Sequence, residues 1–316
     1  MMEKIVTILG PTATGKTSLA ALFASKHNGE IVSADSRQVY RRMDIGTGKD
    51  LKDYRIGTQN IPYHLVDVAE PGIEYNVFHY QQAAIPVMED IQKRGKLVLF
   101  CGGSGMYLEA ILKGYKMFPV PDNQELREKL SQKSDKELED ILLSYKPLHN
   151  KTDIETRERA CRAIEIEDYY AKHPELFEIS KPVPSVIFGL KGDRDLIRNR
   201  ITQRLHERLH SGMIEEVEKL IEDCVNVEQL IRYGLEYKYV TLYIQKKIDY
   251  NTMFEKLNIA IHQFSKRQMT WFRKMERDGF KIHWLDIEQA NEVKISTMQE
   301  ICKKEGVRIF TNKKSL

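Results

Sequence analysis

A glycine-rich segment near the start of the chain has the spacing of a phosphate-binding loop. It reads Gly10-Pro11-Thr12-Ala13-Thr14-Gly15-Lys16-Thr17 and fits the pattern G-x-x-x-x-G-K-[ST]. An apolar run precedes it and a helical pattern begins near Ser18, which is the context that this motif requires. Backbone amides, a helix N-terminus and the Lys16 ammonium would attract an anion, while the Thr17 hydroxyl could bind Mg²⁺. The sequence therefore predicts a di- or triphosphate ligand at this loop.

A single acidic residue, Asp35, follows a predicted strand at Ile31–Ala34. Open parallel sheets bind ligands at the carboxyl ends of their strands, so Asp35 is a candidate for chemistry on the bound compound. Aspartate is also common in turns, and a purely structural role for Asp35 stays open. No acid closes the run Leu97–Phe100, which continues into Cys101-Gly102-Gly103-Ser104-Gly105. The Mg²⁺ ligand set of an ordinary NTPase or kinase is therefore incomplete.

The elements that must position these residues alternate along the chain. Runs rich in β-branched residues are separated by stretches of helical periodicity, and the predicted strands are Ile5–Leu9, Ile31–Ala34, His64–Val68, Leu97–Phe100 and Val186–Leu190. This alternation predicts an α/β fold with a P-loop NTPase-like, doubly wound parallel sheet flanked by helices.

One long stretch, residues 119–177, is charged, has helical periodicity and contains no convincing strand. We interpret it as an inserted all-helical lobe, with residues 1–118 and 178–316 forming the catalytic core. Two long helices are predicted in the second part of this core, at Asp193–Cys224 and at Thr252–Arg277, and the first is dense in arginine.

The composition is that of a globular protein. Of 316 residues, 41% are hydrophobic and 30% charged, and no apolar run approaches the roughly 20 residues that a membrane helix needs. The net charge of +3 neither demands nor excludes a nucleic-acid partner. The four cysteines are far apart, without the spacing of a metal site, so we expect reduced thiols in a cytoplasmic, monomeric protein.

Blocks spread over nearly the whole chain resemble the tRNA dimethylallyltransferases, also known as tRNA isopentenylpyrophosphate transferases. Besides the phosphate loop, these blocks are Ser33-Ala34-Asp35-Ser36-Arg37-Gln38-Val39-Tyr40, Met43-Asp44-Ile45-Gly46-Thr47, His64-Leu65-Val66-Asp67, Gly102-Gly103-Ser104-Gly105-Met106-Tyr107, Arg159 with Arg162-Ala163-Ile164-Glu165, Asp193-Arg194, Lys266-Arg267-Gln268 and Thr270-Trp271-Phe272. Several blocks in the family's order are far more specific than the loop alone.

The resemblance implies transfer of a dimethylallyl group from dimethylallyl diphosphate to N6 of adenine 37, in tRNAs that read codons starting with U. Residues 10–17 would bind the diphosphate of the donor together with Mg²⁺, Arg194 and Arg200. Asp35 would be the general base, and Ser104 would lie where the adenine meets the donor. The chemistry agrees, because a diphosphate leaving group needs concentrated positive charge and an adenine amine is a poor nucleophile.

The resemblance also implies a tRNA-binding surface, and base chemistry requires that the adenine leave its stack. The implied contacts are Asp35, Ser36, Arg37, Gln38 and Ser104 in the core, and Arg127, Glu158, Arg159, Ala160, Cys161 and Arg162 in the inserted lobe. A structural alternative is that Arg159 and Arg162 are paired with Glu155 or Glu158. The chain departs from the family at Tyr233-Gly234-Leu235-Glu236-Tyr237, where a Gly-Tyr pair is more typical, and it lacks the usual Asp-Pro-x-x-Ala segment before Arg159.

Two other classes of enzyme stay open at this point. One is a related transferase that prenylates free adenine nucleotides, and the other is a P-loop kinase or NTPase that binds ATP. The basic C-terminal half and the Lys-Arg-Gln-x-Thr-Trp block favour a tRNA acceptor. The missing acid after Phe100 disfavours the kinase.

Overall fold

The structure, a computed structural model, describes residues 2–147, 152–174 and 181–309. The chain divides into two compact units, of which the first comprises Met1–Gly114 and Pro182–Leu316, and the second is Tyr115–Lys181. The stretch interpreted as an inserted lobe, residues 119–177, lies inside the second unit. None of the described helices is both long enough and apolar enough to cross a membrane.

The first unit contains a six-stranded parallel sheet in the order β5-β2-β6-β1-β7-β8 and a small antiparallel hairpin, β3-β4. The described strands are β1 (Ile5–Leu9), β2 (Gly29–Ala34), β3 (Arg55–Ile56), β4 (Gln59–Asn60), β5 (Tyr63–His64), β6 (Leu97–Gly102), β7 (Ser185–Lys191) and β8 (Ile282–Asp286). Strands β1, β2 and β6 are buried along their whole length, as expected for parallel strands covered on both faces.

Most of the described helices belong to the first unit. In chain order the α-helices are α1 (Lys16–Lys26), α2 (Val77–Lys93), α3 (Gly105–Leu112), α4 (Gln124–Ser131), α5 (Asp135–Tyr145), α6 (Arg157–Lys172), α7 (Arg194–His210), α8 (Met213–Glu222), α9 (Val227–Tyr233), α10 (Leu235–Ile244), α11 (Tyr250–Arg277) and α12 (Asn291–Lys304). Short 3₁₀ turns occur at Leu51–Tyr54 and Thr152–Ile154.

Helices cover both faces of the sheet, and each face has its own apolar cluster. Phe23 of α1 and Met298 of α12 are buried on one face, while Tyr80 of α2 and Phe272 of α11 are buried on the other. A third cluster joins α7 to α11 beyond the edge where the phosphate loop lies. The predicted α/β class with a parallel sheet flanked by helices is confirmed.

One strand prediction was wrong in extent, and one strand was not predicted. The run at His64–Val68 forms only the short strand β5, because Leu65 and Asp67 adopt positive φ angles of 62° and 57° that end an extended strand. Strand β8 was not predicted from the sequence, although it extends the sheet by pairing with β7. It is short and directly follows the 28-residue helix α11, so its apolar alternation is easily read as the end of that helix.

The second unit is helical within its described residues. Its helices α4, α5 and α6 begin at side-chain caps made by Asn123, Ser134 and Thr156. They enclose a small separate core of buried residues, namely Leu130, Leu138, Leu142, Ala160, Ala163 and Ile164. Because this unit has its own apolar core, its helices can pack without the sheet.

Candidate active site

The carboxyl edge of the parallel sheet opens into a cavity of about 350 Å³. The phosphate loop, the segment after β2 and the segment after β6 all contribute to its lining. Residues predicted for the site that line it are Thr12, Lys16, Thr17, Asp35, Ser36, Arg37, Gln38 and Ser104. A neighbouring cavity of about 540 Å³ is also lined by Lys16 and Thr17, together with Ala13 and Gly15. The loop therefore lies at the junction of two cavities.

The phosphate loop has the backbone geometry of an anion-binding nest. Ala13 and Gly15 have positive φ angles of 63° and 77°, which turn successive amide groups toward one side of the loop. The hydroxyl of Thr14 donates a hydrogen bond to the Pro11 carbonyl at 2.8 Å and so ties the loop to itself. At Gly10 a side chain would lie only 2.9 Å from the Thr14 hydroxyl, which explains the first glycine of the motif.

Lys16, in the first turn of α1, is half-buried, lines both cavities and has no carboxylate partner among the described residues. Its Nζ donates to the Pro11 carbonyl at 3.3 Å. Burial lowers the pKa of Lys16 because the charged form loses hydration. An anion entering this cavity would supply the missing countercharge.

Asp35 follows β2 and has two roles in the geometry. Its Oδ1 accepts hydrogen bonds from the backbone N–H groups of Arg37 at 2.9 Å and Gln38 at 3.4 Å, so it does stabilise a turn. Its Oδ2 makes no hydrogen bond within the described part of the chain, and the residue lines the cavity. The turn holds the carboxylate by one oxygen and leaves the other available to a ligand.

Ser104 joins the segment after β6 to the segment after β2. Its Oγ accepts a hydrogen bond from the Ser36 N–H at 2.9 Å, and its own N–H donates to the Ala34 carbonyl at 3.1 Å. Helix α11 covers this corner closely, since a side chain at Gly105 would lie 2.4 Å from the Trp271 ring. Ser104 is therefore held beside Asp35 by backbone contacts on both sides.

The predicted pair of arginines on α7 does not come together at the phosphate loop. Arg194 is exposed in the first helical turn and lies outside both cavities, whereas Arg200 lines only the second. Residues six apart point in different directions on a helix, because each residue turns the side chain by about 100°. Arg204 and Arg208, four and eight residues after Arg200, line both cavities instead. Their i, i+4 spacing was the signal that could have identified them.

Arg208 of α7 forms a charged pair at the cavity with Glu236, which lies in the segment where the chain departs from the family. The closest nitrogen and oxygen atoms are 3.9 Å apart, and the side chains are only 15% and 19% exposed. Burial lowers the pKa of Arg208 and raises the pKa of Glu236. No hydrogen bond to the Arg208 guanidinium is found within the described residues, so its donors remain available to an anion.

The predicted tRNA-binding residues of the second unit lie on or near α6. Arg159 is paired with Glu155, the i,i+4 neighbour named by the structural alternative. Arg127 and Arg162 both bind Glu165, a buried carboxylate. Burial would raise the pKa of Glu165, but its hydrogen bonds with Arg127 and Arg162 outweigh burial and lower it. Of the remaining three, Ala160 is buried, Cys161 is half-buried and Glu158 is exposed.

The fold and the cavity together define an α/β protein in which a phosphate-binding loop and a carboxylate line the same cavity. Residues 38–275 match the family described as IPP transferase. The chain belongs to this family. Its membership confirms the resemblance and the predicted prenyltransferase activity, and it excludes the P-loop kinase alternative.

Relatives of high identity cover nearly the whole chain. The "tRNA dimethylallyltransferase 1" of Parabacteroides distasonis is 55% identical over 94% of this chain and 97% of its own length. The "tRNA dimethylallyltransferase 2" of Bacteroides fragilis is 55% identical, with the same coverage of each chain.

Solved structures show the same fold. The tRNA isopentenylpyrophosphate transferase of Bacillus halodurans, 27% identical, superposes with a TM-score of 0.68 and covers 96% of each chain. A eukaryotic dimethylallyltransferase acting on tRNA, 20% identical, gives a TM-score of 0.76 over 97% of this chain and 81% of its own. At that identity the eukaryotic structure supports the fold alone.

Proposed function

We propose that this protein transfers a dimethylallyl group from dimethylallyl diphosphate to N6 of adenine 37 in tRNAs that read codons starting with U. The observation that carries the proposal is the convergence of Lys16, Asp35 and Ser104 on one cavity. A phosphate-binding lysine, a carboxylate with a free oxygen and a hydroxyl are the groups that prenyl transfer to an amine requires. The relatives' names give the acceptor class and the transferred group, which are tRNA and dimethylallyl.

The donor diphosphate binds between the phosphate loop and α7 in this account. The loop amides and Lys16 approach it from one side, and Arg204 and Arg208 approach it from the other. Positive charge on both sides stabilises the diphosphate as it departs, when its negative charge is greatest. Arg208 takes part through its unpartnered donors, while Arg204 must exchange its ion pair with Asp50 for the substrate.

The transfer step joins the adenine amine to the allylic carbon. The lone pair of N6 forms a bond to C1 of the dimethylallyl group, the C1–O bond breaks, and its electron pair leaves with the diphosphate. The proton lost by N6 passes to the free Oδ2 of Asp35. A positioned base of this kind contributes typically 10²–10⁴-fold to the rate.

Magnesium fits the oxygen donors of this site as an ion shared with the substrate. No cluster of three potential metal-ligating side chains occurs among the described residues, so an all-protein cage is absent there. Mg²⁺ commonly binds through one or two protein oxygens together with substrate phosphates, and the Thr17 hydroxyl lines both cavities beside Lys16. When bound, the ion would neutralise charge on the leaving diphosphate.

The acceptor reaches Asp35 through the first cavity. Ser36, Arg37, Gln38 and Ser104 line it around the carboxylate, and we assign them to the flipped adenine and its neighbours. The arginines of α6 in the second unit are proposed contacts for the anticodon stem-loop. An enzyme with this acceptor would act in the cytoplasm, where tRNA is modified before translation.

One assay separates this function from the remaining alternative. The protein and Mg²⁺ are incubated with radiolabelled dimethylallyl diphosphate and, in turn, with total tRNA, AMP and ATP. Label in tRNA alone is the expected result, and nuclease digestion should recover it as N6-dimethylallyladenosine. Label in AMP or ATP, with none in tRNA, would instead identify an enzyme that prenylates free nucleotides.

A further inference from the structure

The carboxylate of Glu216, which takes no part in the transfer step, accepts four hydrogen bonds. Oε2 of Glu216, on α8, accepts from the backbone N–H groups of Asp44 at 2.8 Å and Ile45 at 2.7 Å. Its Oε1 accepts from the Gly46 N–H at 3.0 Å and from the Tyr237 hydroxyl at 2.7 Å. Three successive amides directed at one anion form a nest, and bonds to a charged acceptor are about twice as strong as neutral ones.

The segment that Glu216 holds is a wall of the active-site cavities. Gly46, Thr47 and Gly48 line the first cavity, and Tyr237 lines it beside them. The contact is close, because a side chain at Gly46 would lie 2.7 Å from the Tyr237 ring. A single carboxylate thus fixes the backbone of one part of the wall and the aromatic ring of the next.

Apolar and aromatic side chains follow this wall in the lining of the cavity. Tyr233, Leu235 and Tyr237 come from one stretch of chain, and the others are Tyr54, Cys101, Ile261 and Phe264. A prenyl chain attached to a diphosphate at Lys16 would extend toward these side chains, since burial of its carbons is favourable there. The cavity of about 350 Å³ must hold an adenine as well, which leaves little room for a longer chain.

We propose that Glu216 is a positioning residue that sets the donor chain length by holding residues 44–46 against Tyr237. The inference rests on the proposed function. The Asp44 carboxylate also forms an ion pair with the buried Lys49. This ion pair keeps the first residue of the segment anchored when Glu216 is altered. Loss of the carboxylate should therefore widen the cavity without unfolding the segment.

The first test is the exchange of backbone amides. In Glu216→Gln one oxygen becomes an amide NH₂ that cannot accept, so at least one of the three N–H groups loses its partner. Hydrogen–deuterium exchange of residues 44–46 should become at least tenfold faster than in the wild type. Glu215→Gln is the matched control, because Glu215 is the exposed neighbour on α8 and accepts no hydrogen bond from residues 44–46. Equal exchange in the two variants would overturn the proposal.

The second test is the choice of donor. The ratio of kcat/KM for dimethylallyl diphosphate to kcat/KM for geranyl diphosphate should fall about tenfold in Glu216→Gln and stay constant in Glu215→Gln. A factor of about ten is the low end of the discrimination that an enzyme obtains from one misfitting methylene. Tyr237→Phe, which keeps the ring and loses one bond, should change the ratio less and in the same direction. An unchanged ratio in both variants would contradict the role in chain length. No transfer by the wild type would overturn the proposed function, while the exchange result still decides whether Glu216 holds the segment.

Discussion

The backbone N–H of Thr12 donates a hydrogen bond to Oε1 of Gln268, at 2.9 Å, across 256 residues of sequence. The Nε2 of the same side chain donates to the Gly103 carbonyl, also at 2.9 Å. Gln268 is 7% exposed and lies in α11. One amide therefore ties the phosphate loop to the segment that carries Ser104, so the donor and acceptor sides of the cavity keep a fixed separation.

This bridge predicts a specific loss in Gln268→Glu. The carboxylate can still accept from Thr12 but cannot donate to Gly103, and it adds a negative charge beside the diphosphate site. Isothermal titration calorimetry with dimethylallyl diphosphate and Mg²⁺ should give an affinity at least about tenfold weaker, or roughly 1.4 kcal/mol. Gln263→Glu adds the same charge to an exposed position of α11 and should leave affinity unchanged. Equal effects of the two substitutions would show that the Gln268 bridge does not support donor binding.

The arginines of α7 allow a direct comparison of two assignments. Arg208→Gln should weaken donor binding by about 10-fold or more, because the cation lines both cavities and its nearest carboxylate among the described residues is Glu236, at 3.9 Å. Arg194→Gln should change donor affinity by less than about twofold, since an exposed charge several turns away is screened. The reverse order of effects would restore Arg194 as the diphosphate contact.

Lys16 makes donor affinity depend on pH. Burial lowers its pKa in the free protein, and the bound diphosphate should raise it by stabilising the ammonium. The charged lysine stabilises the complex fully when the pH is below the free-state pKa. This stabilisation is lost as the pH rises from the free-state pKa to the higher pKa of the complex, so donor affinity should fall over that range. Calorimetry over an alkaline series should show this loss in the wild type and not in Lys16→Met, whose affinity should be low throughout. A parallel pH dependence in the variant would assign the titration to another group.

The parts of this site that could be predicted from the sequence are those whose residues are continuous along the chain. The phosphate loop and Asp35 are recognisable because a glycine-lysine turn after a strand and an acid after the next strand are continuous in sequence. The bridge from Gln268 to Thr12 depends on packing of α11 against the sheet, which no local pattern encodes. Arg204 and Arg208 could have been predicted, because they follow Arg200 at intervals of four residues and such positions share one face of a helix. Glu216 was not predictable, since three of its partners are backbone amides that any residue would supply and the fourth, Tyr237, is 21 residues away in sequence.

The surface for tRNA remains a prediction, and the ion pairs of the second unit shape its test. Arg159 pairs with an exposed glutamate, and exposed pairs contribute at most about 1 kcal/mol, so this arginine can turn to a phosphate. Arg162 instead supports the buried Glu165, and its loss should lower the melting temperature as well.

Arg159→Gln should therefore raise the KM for tRNA and lower the log–log salt slope of binding by about 0.7–0.9 without loss of stability. The double variant with Arg162→Gln should lower the slope further, and donor affinity should stay constant in both. Lys303→Gln, an exposed charge on α12, is the control. If the double variant keeps the wild-type salt slope of tRNA binding, α6 does not contact the tRNA phosphates.

The single-turnover rate of dimethylallyl transfer in Asp35→Asn tests directly whether Asp35 takes the proton from the adenine amine. Asparagine keeps an oxygen to accept from the Arg37 and Gln38 amides, so the turn is preserved while the base is lost. With enzyme and labelled donor in excess over a tRNA anticodon stem-loop, the rate should fall about 10²–10⁴-fold and the donor Kd should not change. A rate equal to that of the wild type would show that Asp35 does not take the proton, and would contradict the mechanism.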